Sequence, residues 1–205
     1  VEKIIPKVKK LGVSLVGICS KTGFSSSKLA KKFGFNYSSS DIDQIIDDKN
    51  IDIVFITTRH NLHSKLVVKC LTNDKNVFVE KPLCLNFEEL DQIVSAYKGS
   101  KSLTVGYNRR FSPHSKAIKK YLTNPEEPVS IIINVNAGHI PIDSWVHDIN
   151  IGGGRVIGEA CHFIDLCSYL SGSKIESVYM DYLGTDYKKN TDSVVISLKF
   201  NNGSI

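Results

Sequence analysis

A charged tripeptide, Glu80-Lys81-Pro82, stands at the end of the apolar run NVFVE. Such a run predicts a buried strand, and parallel sheets bind ligands at the carboxyl ends of their strands. Because the proline fixes the backbone after the lysine, the Lys81 ammonium is aimed at that cleft. There it can hydrogen-bond a substrate hydroxyl and stabilise an alkoxide as a hydride leaves. The alternative, which the tripeptide alone does not exclude, is a solvated surface lysine.

A histidine and an aspartate lie three residues apart in the glycine-led segment IGGGRVIGEACHFIDL, residues 151–166. On a helix of about 3.6 residues per turn, Gly158, His162 and Asp165 share one face, opposite a broad apolar face. An imidazole beside a carboxylate is a workable general base, because the carboxylate can orient the ring or position the substrate. Without Lys81, an incidental pair on a half-exposed helix would be the favoured interpretation.

Apolar runs alternate with helix-like segments through residues 1–108. The run at 51–57 is almost wholly apolar, which is typical of a strand covered on both faces. This alternation predicts an α/β, Rossmann-like, doubly wound parallel sheet. The predicted strands are 13–18, 35–37, 51–57, 76–80 and 102–107, and the predicted helices are 25–34, 41–48, 63–72 and 86–97.

The pattern changes in residues 109–205. We predict a helix at 112–122, a long strand at 129–138, the glycine-led helix at 151–172, and strands at 176–184 and 192–200. Strands of period-2 alternation around a helix indicate an α+β domain with a mainly antiparallel open sheet.

Composition narrows the class of protein. The 205 residues are 41% hydrophobic and 23% charged, as in an ordinary folded soluble protein. The net charge of +5 is spread along the chain, and no basic helix interleaved with aromatics predicts a nucleic-acid partner. No apolar run approaches the roughly 20 residues of a membrane span, and no signal-like stretch opens the chain. We therefore predict a cytoplasmic protein without a membrane partner.

Cysteine and histidine spacing argues against a metal site. The five cysteines include no CxxC pair, and an odd number cannot all pair within one chain. His60 and His63 are the nearest approach to a ligand pair, with no third ligand close in sequence. We predict neither a disulfide framework nor a bound metal.

Four segments together resemble the glucose-fructose oxidoreductase, inositol dehydrogenase and rhizopine-catabolism (Gfo/Idh/MocA) family. They are IDIVFITTRHNLH, VFVEKPL, TVGYNRRFSP and GGGRVIGEACHFIDL, in family-like order and spacing across nearly the whole chain. The resemblance implies a Rossmann domain that binds NAD or NADP, a second domain with an open sheet, and hydride transfer to or from a sugar or polyol carbon.

The resemblance also implies roles for individual residues. Lys81 is the catalytic lysine and His162 the catalytic acid or base. The substrate side is lined by Asn108, Arg109, Arg110, Trp145 and Asp165. The cofactor side is lined by Thr57, Thr58, Asn61, His63 and Glu80.

The chain departs from the family pattern in three places. The glycine-rich turn that cradles a pyrophosphate is expected before Val1, and further strands are expected after Ile205, so we interpret the sequence as a fragment. Members with a catalytic aspartate place it at the position of Gly158. Glu159 comes one residue later and, on a regular α-helix, points roughly 60° to the other side of His162. We therefore expect a lysine–histidine pair to act without that carboxylate.

A narrower resemblance is to oxidoreductase modules of bacterial surface-polysaccharide and nucleotide-sugar pathways, some of which follow a zinc-dependent dehydrogenase-like domain. The first hypothesis is accordingly an NAD(P)-dependent oxidoreductase of a sugar, polyol or nucleotide sugar, forming a homo-oligomer through the second-domain sheet. The second is a non-catalytic dinucleotide-binding regulator, because fold does not fix function. The presence of both Lys81 and His162 favours the enzyme.

The cofactor preference is predicted from the strand that begins at residue 13. It ends in Cys19-Ser20-Lys21, without the acidic residue that accepts bonds from the ribose hydroxyls of NAD. A hydroxyl and an ammonium, followed by Lys28, Lys31 and Lys32, suit a phosphate instead. We predict a preference for NADP or use of both cofactors, with Ser20 and Lys21 at the ribose; the alternative is that these lysines form a solvated helix face.

Overall fold

The structure is a computed structural model that describes residues 2–122, 124, 126–185 and 192–205. Its contacts form two compact units. The first contains the residues up to Thr58, His63–Val79 and Glu88–Thr104, and the second contains Arg59–Leu62, Glu80–Phe87 and Val105–Ile205. The domain boundary after residue 108 stays a prediction.

The first unit is built from short parallel strands and the helices that join them. Strand β1 pairs with β2, and β3 pairs with β4, both in parallel, with β5 on the other side of β4. The parallel sheet predicted from the βα alternation is present. Its elements are α1 (Ile5–Lys9), β1 (Gly17–Cys19), α2 (Phe24–Phe33), β2 (Tyr37–Ser39), α3 (Ile42–Asp47), β3 (Ile53–Ile56), α4 (His63–Thr72), β4 (Asn76–Val79), α5 (Phe87–Ala96) and β5 (Leu103–Val105).

Apolar side chains of α4 and β4 form the centre of this unit. Val67, Val77 and Val79 are fully buried, and Cys70 nearly so. Each such side chain stabilises the fold by about 1.5–3 kcal/mol relative to an exposed position. The Lys75 ammonium is also buried, and it donates to the Asp48 and Ile51 carbonyls at 2.7 and 2.8 Å. These bonds compensate its desolvation.

One face of β3 is less covered than its sequence predicts. Ile53 and Phe55 are 43% and 38% exposed, whereas Val54 and Ile56 are buried. Helix α4 packs against β3, while the side chain of Phe55 stacks on Phe78 with ring centroids 5.0 Å apart. The apolar run at 51–57 therefore predicts the strand correctly, but its prediction that both faces of the strand are buried is wrong.

The second unit contains a helix, a π-helical turn that leads into another helix, and an antiparallel pair of strands. The elements are α6 (Pro113–Tyr121), the π-turn (Val156–Ala160), α7 (Cys161–Ser171), β6 (Ile175–Tyr182) and β7 (Val194–Phe200). Strands β6 and β7 pair from Ile175↔Phe200 to Tyr182↔Val194. The predicted antiparallel sheet is thus present in this pair.

The long strand predicted at 129–138 is wrong, because the structure assigns no strand there. A strand needs a continuous ladder of backbone bonds to a neighbour. In the described part of the chain, Val129 and Ile131 bond through their backbones to Ile205, and the ladder goes no further. Alternating apolar residues predict an extended segment but do not supply its partner.

Within the described residues, no helix combines the length and the apolar character that crossing a membrane requires.

Candidate active site

Lys81 is held by two oxygen acceptors of the π-turn. Its ammonium donates to the Gly158 carbonyl at 2.6 Å and to Glu159 Oε1 at 2.7 Å. The lysine side chain is only 13% exposed, whereas that of Glu159 is 45% exposed. Lys81 is therefore a fixed, partly desolvated cation in the second unit, not a solvated surface lysine.

Glu159 is a residue that sequence reasoning placed wrongly. A regular α-helix would direct it away from the lysine side of His162, but residues Val156–Ala160 form a π-helical turn. A π-turn bonds each residue to the fifth one along, so it holds more residues per turn and rotates the side chains relative to the α-helical pattern. The Glu159 carboxylate consequently reaches Lys81. A helical wheel with a single period cannot detect this change.

His162 is the second residue of α7 and is 7% exposed. Its Nδ1 atom is buried and has no hydrogen-bond partner among the described residues, and the Tyr107 ring lies edge-on to it at 6.3 Å. Burial lowers the pKa of His162 below its ordinary value of 6.5, with the Lys81 and Arg109 charges adding to the effect and Glu159 and Asp165 opposing it. The imidazole is therefore neutral at pH 7 and can accept a proton.

Asp165 does not orient His162, contrary to the expectation from their spacing. Its carboxylate is engaged by the Arg110 guanidinium, in which Nε donates to Oδ2 at 2.9 Å and a terminal nitrogen donates to Oδ1. A planar guanidinium matches a carboxylate in this two-bond geometry. Asp165 thus fixes Arg110, and it acts on His162 only as a nearby charge.

The other predicted substrate residues, in the GYNRRFSP motif, lie beside α7. Asn108–Phe111 form a short 3₁₀ turn, in which the Arg109 guanidinium lies 4.3 Å from the centre of the Phe163 ring. Asn108 is exposed. Burial raises the pKa of Tyr107, just before this turn, to about 12. The structure therefore brings Lys81, His162, Arg109, Arg110 and Asp165 into one unit.

Trp145 belongs to a loop beside the π-turn. His60 Nδ1 donates to the Gly152 carbonyl at 2.8 Å, and the Trp145 ring lies edge-on to His60 at 4.9 Å. The Arg59 guanidinium is 5.4 Å from the Trp145 ring centre. An open surface depression lies here. Residues that line it include Arg59, Ser144, Trp145, His147, Asp148 and Ile151.

Gly152 fixes the fold of this loop through close backbone contact. A Cβ atom added there would lie 2.5 Å from the Val146 carbonyl oxygen and 2.6 Å from that of Trp145. Backbone atoms cannot rotate away as a side chain can, so we expect Gly152→Ala to lower the free energy of unfolding by about 3 kcal/mol. Chemical denaturation of the full-length protein measures this loss.

Gly138→Ala is the matched control. A Cβ atom there meets nothing within 4 Å, and only the positive φ of +73° is unfavourable. We expect a loss of about 1 kcal/mol for the strained backbone. Equal losses for the two variants would contradict the close-contact explanation at Gly152.

The residues predicted to bind the cofactor are distributed over both units. In the first unit, the Ser20 hydroxyl accepts a bond from the Ser26 amide at 3.1 Å, and Lys21 is exposed just after β1. His63 is fully buried and its Nε2 donates to the Thr58 carbonyl at 3.1 Å. This bond fixes the junction between β3 and α4, where Thr57 also lies.

In the second unit, Glu80 is half-buried directly before Lys81. The backbone N–H of Asn61 donates to the Ile151 carbonyl at 3.1 Å. The roles of these cofactor residues stay predictions. Among the described residues, no group of three or more His, Cys, Asp or Glu side chains is arranged to hold a metal.

A helix-covered parallel sheet with polar groups at the carboxyl ends of its strands is the architecture of dinucleotide-binding proteins. A family model described as an oxidoreductase family with an NAD-binding Rossmann fold (GFO_IDH_MocA) matches residues 3–107. The chain therefore belongs to the Gfo/Idh/MocA oxidoreductase family. The family and the fold class predicted from the sequence are confirmed.

Named relatives support the same assignment. Myo-inositol 2-dehydrogenase of Thermotoga maritima is 28% identical over 184 residues, which cover 87% of this chain and 55% of that protein. Levoglucosan dehydrogenase of Pseudarthrobacter phenanthrenivorans is 30% identical over 158 residues, which cover 72% of this chain and 40% of that protein. The chain spans about half the length of the curated relatives it matches.

A solved structure gives the corresponding match in three dimensions. The complex of levoglucosan dehydrogenase with NADH and levoglucosan is 27% identical to this chain, with a TM-score of 0.76. The match covers 93% of this chain and 56% of that one.

Proposed function

We propose that the full-length protein is an NAD(P)-dependent oxidoreductase that transfers a hydride to or from a hydroxyl-bearing carbon of a sugar, polyol or nucleotide sugar. The observation that carries the proposal is the Lys81 ammonium, fixed by the Gly158 carbonyl and Glu159, in the unit that contains His162. The relatives named as dehydrogenases of inositol and levoglucosan support the substrate class.

Each polar residue of the site has a role in this reaction. A bound nicotinamide supplies the hydride acceptor or donor. Lys81 donates a hydrogen bond to the oxygen of the reacting carbon and stabilises the charge that develops there. Neutral His162 accepts the hydroxyl proton during oxidation and returns it during reduction. Glu159 positions Lys81 by holding its ammonium.

The residues of the first unit fit a phosphorylated ribose. Ser20 uses its oxygen to accept a bond from Ser26, which leaves its own hydroxyl proton for a ligand. Lys21 follows as an exposed cation at the end of β1. We infer that these two groups hold the 2′-phosphate of NADP, while Thr57 and Thr58 of the same unit contact the rest of the dinucleotide.

Lys21→Ala in the full-length protein tests this cofactor assignment. We expect it to weaken NADP binding by roughly tenfold, because it removes one charge-assisted hydrogen bond, and to leave NAD binding unchanged. Fluorescence titration with each reduced cofactor measures both affinities. Lys49→Ala, at an exposed lysine in the turn between α3 and β3, is the control. If the protein binds NAD more tightly than NADP, and Lys21→Ala leaves both affinities unchanged, the phosphate assignment is wrong.

The competing proposal is a dinucleotide-binding regulator without turnover. The two are separated by incubating the full-length protein with NAD or NADP and a panel of inositols, hexoses and nucleotide sugars, while the absorbance of the reduced nicotinamide is followed. Turnover of any member supports the oxidoreductase. Cofactor binding without turnover, together with cofactor-dependent association with another macromolecule, supports the regulator.

We also propose that the full-length protein is a homo-oligomer that uses the second-unit sheet. The support is the apolar surface of β6, where Val178, Tyr179 and Met180 are each at least half exposed. Light scattering of the full-length protein tests the assembly, and a monomer would contradict it.

A further inference from the structure

Among the described residues, the cations around His162 outnumber the carboxylates that pair with them. Three cations lie beside it or beside its helix: Lys81, Arg109 and Arg110. Lys81 is paired with Glu159 and Arg110 with Asp165. Arg109 is the third cation, and no carboxylate of the described residues lies within ion-pair distance of it.

Arg109 is nevertheless held in a defined position. Its guanidinium lies 4.3 Å from the centre of the Phe163 ring, and Phe163 directly follows His162. Two residues before Arg109, Tyr107 contacts the His162 ring itself. Stacking on an aromatic ring orders a guanidinium while leaving its N–H donors available. Arg109 is therefore an exposed, oriented cation beside the catalytic histidine.

A second observation at this place is an unpartnered polar atom. The Nδ1 atom of His162 is buried and has no hydrogen-bond partner among the described residues, and the residue is more than nine-tenths buried. Buried polar atoms are nearly always hydrogen-bonded, so this nitrogen requires a partner that the described residues do not supply and that a bound ligand can provide.

We propose that the substrate carries an anionic group, a carboxylate or a phosphate, and that Arg109 binds it next to His162. This inference rests on the proposed function and narrows its substrate class to acidic sugars, sugar phosphates and nucleotide sugars, as distinct from neutral polyols. The ligand anion supplies the third negative charge, which none of the described residues provides. A guanidinium forms two parallel bonds with a carboxylate or phosphate, and this geometry fixes the substrate relative to Lys81 and His162.

The test uses the full-length protein saturated with NADP, and D-glucuronate, D-glucose and inorganic phosphate as probes. The dissociation constants are measured from the chemical shifts of the His162 ring. We expect D-glucuronate to bind at least about tenfold more tightly than D-glucose, and inorganic phosphate to compete with it. Arg109→Gln removes this preference. Lys116→Gln is the control, because Lys116 is also an exposed cation near an aromatic ring, Phe111 at 5.9 Å.

Each outcome decides the proposal. Loss of the anion preference in Arg109→Gln but not in Lys116→Gln supports it. Equal or absent binding of D-glucuronate and D-glucose, or a preference that survives Arg109→Gln, overturns it. If Arg109→Gln weakens NADP binding and leaves D-glucuronate binding unchanged, the anion is a cofactor phosphate and the proposal is wrong. A ratio of D-glucuronate turnover to neutral-polyol turnover that is the same in Arg109→Gln as in the wild type would also overturn it, while leaving the proposed hydride transfer intact.

Discussion

Lys81→Ala in the full-length protein is expected to lower kcat by roughly a thousandfold, since it removes the donor placed to stabilise the developing alkoxide. Cofactor binding is expected to persist, because the substitution leaves Ser20 and Lys21 in place. The site also loses two hydrogen bonds of Lys81, those to the Gly158 carbonyl and Glu159. Steady-state kinetics measure the loss of kcat, and fluorescence titration with reduced cofactor measures whether cofactor binding persists.

Lys119→Ala is the matched control for this substitution. Lys119 also donates to a backbone carbonyl, that of Leu170 at 2.9 Å. Leu170 lies at the end of α7 far from His162, whereas Lys81 bonds to the π-turn that precedes α7. Its removal reports the structural cost of losing a lysine bond to α7, and we expect kcat to stay within about twofold, as is usual for substitutions away from a site. If Lys81→Ala and Lys119→Ala behave alike, Lys81 is structural and the regulator hypothesis gains support.

The parts of the fold that sequence predicts well are those fixed by local pattern. Helix α4 begins at His63 and ends at Thr72, as its apolar periodicity and the polar residues after it predict. Helix α3 begins after Asp41, whose side chain accepts a bond from the Asp43 amide. In both cases the information lies within a few residues of the element.

The parts that sequence predicts poorly depend on distant partners. Residues 129–138 have the alternation of a strand but bond only briefly to Ile205. Asp165 has the spacing to serve His162, yet it is captured by Arg110, 55 residues away. A helical wheel contains no information about a competing guanidinium from another segment.

The site shows the same division. Lys81 and His162 were identified from residue type, spacing and family resemblance, and both lie in the second unit. The direction predicted for Glu159 is wrong because the π-turn sets it. That turn follows a loop in which the backbone of Gly152 lies close to Val146 and Trp145. Such a turn has no established signature in residue type, so only the three-dimensional structure locates the carboxylate.

The strongest pH effect is expected at His162. Substrate oxidation requires the neutral imidazole, so the rate falls as the pH drops through the pKa of His162. Burial and the Lys81 and Arg109 charges hold that pKa below 6.5, and the acidic limb of the kcat profile therefore lies below pH 6.5. His162→Gln is expected to lower kcat by roughly a hundredfold or more and to abolish this limb.

Two further variants test the direction in which neighbouring charges shift the pKa of His162. Glu159 raises the pKa of His162 and Arg109 lowers it. Glu159→Gln should therefore move the acidic limb to lower pH, while Arg109→Gln should move it to higher pH. Rate measurements across the pH range on all three variants and the wild type test this order, with thermal unfolding at each pH to exclude loss of the fold. Limbs that move in the same direction, or a limb that survives His162→Gln, would show that another group is the general base.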